Sequence, residues 1–168
     1  KKAIDAELKR LAPLVEAGYI VTSGCPSCVL TLTDDYPELA EDDDRARLVA
    51  EHTCDLHTLL WDLNEETENR DKELFRTWTG KRLAYHAPCH LRAAGRGEAP
   101  RRLLEKLLGI EFTVTNATCC GMGGTYGLKS KNAETSALIA RESFQRILKS
   151  GAEAVVTSCG MCRTQLAA

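Results

Sequence analysis

Apolar side chains at Ile4, Leu8, Leu11 and Val15 recur three or four positions apart, the spacing that turns one face of a helix towards a core. That periodicity predicts a helix over Ala3–Ala17, with Gly18 closing it. Tyr19–Ser23 then reads as a short apolar strand. The acidic run Asp42-Asp43-Asp44 suits the start of a helix, where carboxylates complement the dipole. Leu48, Leu56, Leu59, Leu60 and Leu63 predict one long helix or two short ones after it. The polar, charged stretch from Asn64 to Gly80 reads as a linker. Beyond it come a strand over Leu83–His86, a helix over Pro100–Leu108 stopped by Gly109, a strand over Phe112–Thr115, a helix over Asn132–Ser150 and a strand over Ala154–Thr157. Strands alternating with helices predict an α/β fold with parallel pairing and right-handed crossovers. In such sheets ligands gather beyond the carboxyl ends of the strands. Cys89, Cys119, Cys120 and Cys159 each follow a predicted strand closely.

The same pattern occurs twice. The stretch from Leu14 to Cys28 runs helix end, glycine, apolar strand, Thr-Ser and Cys-x-x-Cys, and the stretch from Ile147 to Cys162 repeats it with one residue of shift. A repeated unit of this kind changes the expected fold as a whole. The second copy is preceded by Cys89 and by Cys119-Cys120, whereas the first has no cysteine upstream of Cys25 and Cys28. The expected organisation is therefore residues 1–63 as the C-terminal half of a first repeat with connecting helices, 64–80 as a linker, and 81–168 as a complete second repeat. The chain then reads as a piece of a longer protein.

Composition narrows the chemistry. A length of 168 residues, with 43% apolar and 27% charged side chains, fits a soluble globular chain of one domain or two small ones. The net charge of −2 gives no electrostatic reason to expect nucleic acid as a partner. No apolar run approaches the roughly 20 residues that span a bilayer, so membrane association is expected only through a partner or a segment outside this one. Eight cysteines, without the charged and then apolar opening of a secretory leader, point to metal or redox chemistry.

Adjacent cysteines in extended chain point in opposite directions, so a single small ion rarely takes both. A cluster of several irons offers separate points of attachment and can accept both sulfurs. Cys89, Cys119, Cys120, Cys159 and Cys162 therefore read first as an iron–sulfur site. Other readings stand beside it. Zinc could use Cys89, Cys159, Cys162 and one of the pair. The thiols could instead form disulfides or be inert in packing. A Cys89–His90 nucleophile would leave the other four cysteines and the repeat without a role. Gly121, Gly123 and Gly124 leave the backbone free to take positive φ and to donate N–H groups to cluster sulfur; a phosphate loop would need the Lys-Ser/Thr ending that this stretch lacks. His86 and His90 bracket Cys89, and a full thiolate set leaves neither needed as a ligand. His52 and His57 are expected on exposed helix, Cys54 is expected as an inert helical residue, and Tyr126 and Lys129 suit either a partner or quinone surface or an ordinary structural role. Cys25 and Cys28 form an incomplete second site, since two thiolates are too few for a four-ligand cluster or structural zinc.

The motifs Ala87-Pro88-Cys89-His90, Cys119-Cys120-Gly121-Met122-Gly123-Gly124-Thr125-Tyr126-Gly127 and Cys159-Gly160-Met161-Cys162 resemble the cysteine-rich CCG-domain family. That family includes the B subunit of heterodisulfide reductase and the iron–sulfur subunits of lactate and glycolate oxidases. Thr31–Leu39 and Gly124–Lys129 look most like the branch that supplies the C subunit of anaerobic glycerol-3-phosphate dehydrogenases. Such proteins carry two CCG domains behind a ferredoxin-like module, and the Cys-x-x-Cys-x-x-Cys run of that module is absent from this sequence. The resemblance implies a 4Fe–4S electron relay: a flavoprotein dehydrogenase oxidises glycerol 3-phosphate, and iron–sulfur centres pass the electrons towards membrane quinone. It places the chain in the cytoplasm, held peripherally at the membrane through its complex. It makes Cys89, Cys119, Cys120, Cys159 and Cys162 the cluster ligands, with Gly121 and Gly123 beside them. Five thiolates exceed the usual four of a cubane, which implies either a non-cubane cluster or one cysteine outside the ligand set. The reading from a different class is a zinc-stabilised interaction module without redox activity.

Overall fold

A computed structural model of the chain describes residues 1–65, 80–114 and 118–167. The chain divides into two units, Lys1–Leu60 and Trp61–Ala168, and all strand pairing among the described residues is parallel.

In the first unit, α1 (Lys2–Glu16) turns Leu8, Ala12 and Val15 inward as its periodicity requires, with Ile4 and Leu11 partly buried beside them. Strand β1 (Val21–Ser23) leads to Cys25, which caps α2 (Pro26–Leu30); a π-helical stretch (Thr31–Asp35) and α3 (Tyr36–Leu39) follow. Helix α4 (Asp43–Glu51) opens as the acidic run predicts: the Asp42 carboxylate accepts from the Arg45 N–H at 3.1 Å. Its Ala46 and Val49 complete the core with α1. Strand β2 (Thr53–Asp55) pairs with β1, Thr22 lying opposite Cys54 and Ser23 opposite Asp55. Helix α5 (Leu56–Glu65) comes next.

Strand β2 corrects two expectations. The leucine series is interrupted by a strand, and Cys54 lies in that strand rather than on a helix. The Thr53 hydroxyl donates to the Val49 carbonyl at 2.6 Å where α4 ends, and the next backbone groups pair with β1. Three residues of strand are too few to show a period, and the partner that selects this conformation lies some thirty residues away in sequence. His57 differs as well: it is half-buried, with Nδ1 3.4 Å from Asp55, whereas His52 is exposed. The range read as a linker begins inside α5, and residues 66–79 lie outside the described ones.

Asp55 is only 2% exposed. Burial acts to raise its pKa, but the His57 side chain and the Thr58 hydroxyl and N–H outweigh that and hold it at about 2. The folded state thus favours the carboxylate. Its contribution is complete above the ordinary value of 3.8 and is lost as pH falls through that value towards 2. Asp55→Asn is expected to remove roughly 2 kcal/mol of stability at neutral pH and to flatten the acid limb. Urea midpoints measured from neutral to acid pH check this; parallel acid limbs for both proteins would refute it.

The second unit is a three-stranded parallel sheet in the order β4-β3-β5. Central β3 (Leu83–Tyr85) is buried throughout, with β4 (Phe112–Val114) and β5 (Ala154–Val156) on either side. Tyr85 meets Phe112 edge to face, ring centroids 5.8 Å apart, and its hydroxyl donates to the Gly97 carbonyl at 2.7 Å. The helices are α6 (Cys89–Ala93), α7 (Ala99–Leu108), α8 (Ala133–Ser150) and α9 (Gly160–Leu166). Gly109 and Gly151 end α7 and α8 in the left-handed region, with φ of 62° and 66°. Among the described residues no helix is long and apolar enough to cross a membrane.

Candidate metal centre

All three strands of the second unit deliver cysteine-bearing loops at their carboxyl ends. After β3, His86 extends the ladder by donating its N–H to the Val156 carbonyl at 2.9 Å, and Pro88 caps α6 so that Cys89 is its first residue. After β4 comes Cys119-Cys120, and after β5 Cys159 caps α9, whose first turn carries Cys162.

The site has a buried floor and an open rim. Cys120, Cys159 and Cys162 pack with Met122, and all four are buried; Cys119 is half-buried and Cys89 exposed. The Cys162 thiol lies 3.2 Å from the Cys120 sulfur, too far for the roughly 2 Å of a disulfide. All eight cysteines are free thiols. Donation from Cys162, helped by the His86 ring and the Met122 N–H, pulls Cys120 down to about 4. Cys162 moves up for the same reason, as the donor to Cys120 and through burial. Partial desolvation lifts the Cys89 thiol, and the charges of Cys119, Cys120 and Cys159 add to the rise. The Cys89 and Cys162 shifts thus carry the influence of neighbouring cysteines of the same unit. Lowering the Cys120 thiol favours the deprotonated form, which is the form that binds metal.

How the double cysteine is held is not legible in the sequence. Helix α8 presents a stripe of small buried residues, Ser136, Ala140 and Ser143. The Ser143 hydroxyl donates to the Cys119 carbonyl at 3.2 Å, and the Ser136 hydroxyl to the Gly121 carbonyl at 2.9 Å. Gly121, with φ of 82°, lies against this stripe, and its N–H donates to the Cys119 sulfur at 3.3 Å. Gly123 is exposed with φ of 53°, and its carbonyl accepts from the Tyr126 N–H. The only signal along the chain is a set of small residues three and four apart in a long helix, and nothing there says that a loop crosses them.

The first unit repeats the local geometry of the Cys-x-x-Cys. Cys25 caps α2 with φ −99° and ψ 111°, and Cys159 caps α9 with φ −107° and ψ 123°. In each copy the hydroxyl two residues earlier accepts from the cysteine N–H: Ser23 for Cys25 at 3.1 Å and Thr157 for Cys159 at 3.5 Å. Cys25 is lowered despite burial, because the Cys28 N–H and thiol donate to it, and Cys28 rises as the donor. Cys28 opens onto a surface groove with Ser23, Leu32 and Tyr36.

Two features of the second unit fit a polynuclear centre. Among the described residues, the compact donor group is His86, Cys120 and Cys162, with ligand atoms within 4.8 Å of one another. Cys89, Cys119 and Cys159 are further thiols of the same unit outside that group, so the unit offers more sulfur donors than one tetrahedral ion takes. In addition, the buried side-chain atoms His86 Nδ1 and Ser158 Oγ have no hydrogen-bond partner among the described residues, and both residues flank the thiols in sequence. Buried polar atoms without partners are rare and call for an explanation.

A parallel α/β unit that gathers five thiols at its strand ends defines a cysteine-rich metal-binding domain. The chain belongs to the CCG cysteine-rich domain family, whose signature matches residues 83–167. It is 34% identical to the C subunit of anaerobic glycerol-3-phosphate dehydrogenase from Escherichia coli K12, over 89% of this chain and 36% of that protein. It is 30% identical to the B subunit of fumarate reductase (CoM/CoB) from Methanothermobacter marburgensis, over 89% of this chain and 28% of that one. Lactate utilization protein A of Bacillus subtilis is 28% identical, over 91% of this chain and 64% of its own length. The chain thus spans about a third of the first two relatives. Family membership supports an iron–sulfur centre, and relatives named as subunits support partner subunits.

Proposed function

We propose that this chain is an iron–sulfur electron-transfer module that relays electrons from a flavin-dependent dehydrogenase, with glycerol 3-phosphate as the substrate oxidised, towards membrane quinone. The observation that carries the reading is the number of thiols, Cys89, Cys119, Cys120, Cys159 and Cys162, in one small unit with three of them on a buried floor, more than one tetrahedral ion takes. When bound, a cluster of the 4Fe–4S type accepts and releases single electrons at a potential set by its surroundings. The chain's own residues hold it: Cys120, Cys159 and Cys162 from the buried floor, Cys119 and Cys89 from the rim. Gly121 keeps the double-cysteine loop close to α8, and Gly123 lets it turn. Five thiolates favour a non-cubane cluster over an ordinary cubane.

The exposed rim at Cys89 is the side through which a redox partner approaches, since electron transfer needs one edge of the centre near the surface. A flavoprotein subunit is that partner, and the likeness to the C subunit of glycerol-3-phosphate dehydrogenase supports it. The complex as a whole then meets quinone at the cytoplasmic face of the membrane. Domain organisation follows the repeat: residues 81–168 form a complete CCG unit, 1–63 the second half of another, joined through 64–80. Cys25 and Cys28 contribute two ligands and hold no cluster with this chain's residues alone.

Anaerobic purification followed by iron, zinc and sulfide determination tests the reading. The expected result is a brown protein that bleaches on reduction, with one cluster per chain. A colourless protein carrying stoichiometric zinc would overturn it in favour of a non-redox interaction module.

A further inference from the structure

His86 is 1% exposed and sits at the carboxyl end of the central strand, its ring packed against the thiols of Cys120 and Cys162. One ring nitrogen lies within 4.8 Å of the Cys120 and Cys162 sulfurs, and the imidazole acts to lower the Cys120 thiol. Among the described residues Nδ1 has no hydrogen-bond partner, which leaves Nε2 as the nitrogen to face the sulfur. The backbone gives the ring little freedom, since the His86 N–H is held by Val156 and Pro88 follows two residues later. A buried imidazole with one nitrogen near two thiol sulfurs, and Nδ1 without a hydrogen-bond partner among the described residues, is poorly explained by packing alone.

We propose that His86 is a positioning residue for the metal centre: its Nε2–H donates to the Cys120 sulfur, orients that thiolate and raises the reduction potential of the cluster. This rests on the iron–sulfur reading above. The physical reason is that an N–H directed at a ligand sulfur withdraws electron density from it, which stabilises the reduced, more negative state. Five thiolates already exceed an ordinary ligand set, so the imidazole is not needed as a ligand, and its N–H would add to the donation that the Gly121 N–H already makes to the Cys119 sulfur. His90, the other histidine beside Cys89, is not part of the compact donor group.

The experiment uses the full chain, reconstituted anaerobically with iron and sulfide, as wild type, His86→Phe and His86→Gln. Iron content, visible spectrum and reduction potential are measured on each. Phe keeps the ring volume without a donor; Gln places an amide N–H near the Nε2 position. The expected result is full iron content in all three, a potential shifted negative in His86→Phe and mostly restored in His86→Gln. Should the Phe variant lose its fold by circular dichroism, His86→Asn, whose amide matches Nδ1 instead, serves as the donor-free case with the same expected shift. An unmoved potential would overturn the inference. So would loss of iron from folded His86→Phe and His86→Gln together, which would make His86 a ligand. An iron-free wild type would overturn the electron-transfer reading and this inference with it, whereas a loaded wild type with indifferent variants would overturn this inference alone.

Discussion

Cys120→Ser abolishes or strongly alters the visible absorption of anaerobically prepared protein, while Cys54→Ser leaves it unchanged. Cys120 is the more buried member of the double cysteine, at 4% exposure; it accepts from the Cys162 thiol and has the His86 ring beside it. The lowering of its thiol favours the thiolate form that binds metal. Serine keeps the size but offers a hard oxygen that iron–sulfur chemistry disfavours. Cys54 lies in the first unit, on β2 opposite Thr22, and is not a member of the compact donor group of His86, Cys120 and Cys162. Absorption spectra with iron analysis read the outcome. An unchanged spectrum for Cys120→Ser would remove the double cysteine from the ligand set.

Gly121→Ala unfolds the site even without metal, and Gly124→Ala does so far less. Both glycines have positive φ, 82° and 61°, which costs a side-chain-bearing residue about 1–2 kcal/mol. The difference is space. A Cβ on Gly124 meets nothing within 4 Å, whereas one on Gly121 collides with the Ser136 carbonyl oxygen and comes within 3.2 Å of the Ala140 nitrogen. Those atoms belong to the backbone of α8 and cannot step aside as a side chain would. The expected loss for Gly121→Ala is therefore roughly 2–4 kcal/mol, the range of severe steric and backbone changes. Denaturation of metal-free, reduced protein measures it. Equal midpoints for the two variants would show that the loop can leave α8 without loss.

Most of the second unit could be read directly. Its elements are long enough or sharply enough bounded to show a period: α8 runs for 18 residues and ends at a glycine, and β3 and β5 are apolar runs bracketed by polar residues. The phasing of Cys89, Cys119, Cys120 and Cys159 behind strands was legible because a parallel sheet sends all its carboxyl ends to one edge. The first unit was harder. Strand β2 carries Thr53, Cys54 and Asp55 in the midst of leucine-rich helical sequence, and only the partner strand β1 selects an extended conformation there. The pairing of Asp55 with His57 was hidden for the same reason, since it depends on where β2 ends and α5 begins.

What the order of residues decided was the α/β alternation, the repeat around each Cys-x-x-Cys and the thiol chemistry, because these depend on local periodicity and on donor type. The tertiary structure decided which groups surround each sulfur. It brought Cys162 to 3.2 Å from Cys120, set the His86 ring beside them and laid Gly121 against Ser136 and Ala140. Such contacts join residues far apart along the chain, and they arise from how the α8 stripe and the three strand ends close on one another. No pattern along the chain encodes a distance of that kind, since it is fixed by packing among elements and not by the conformation of any one of them.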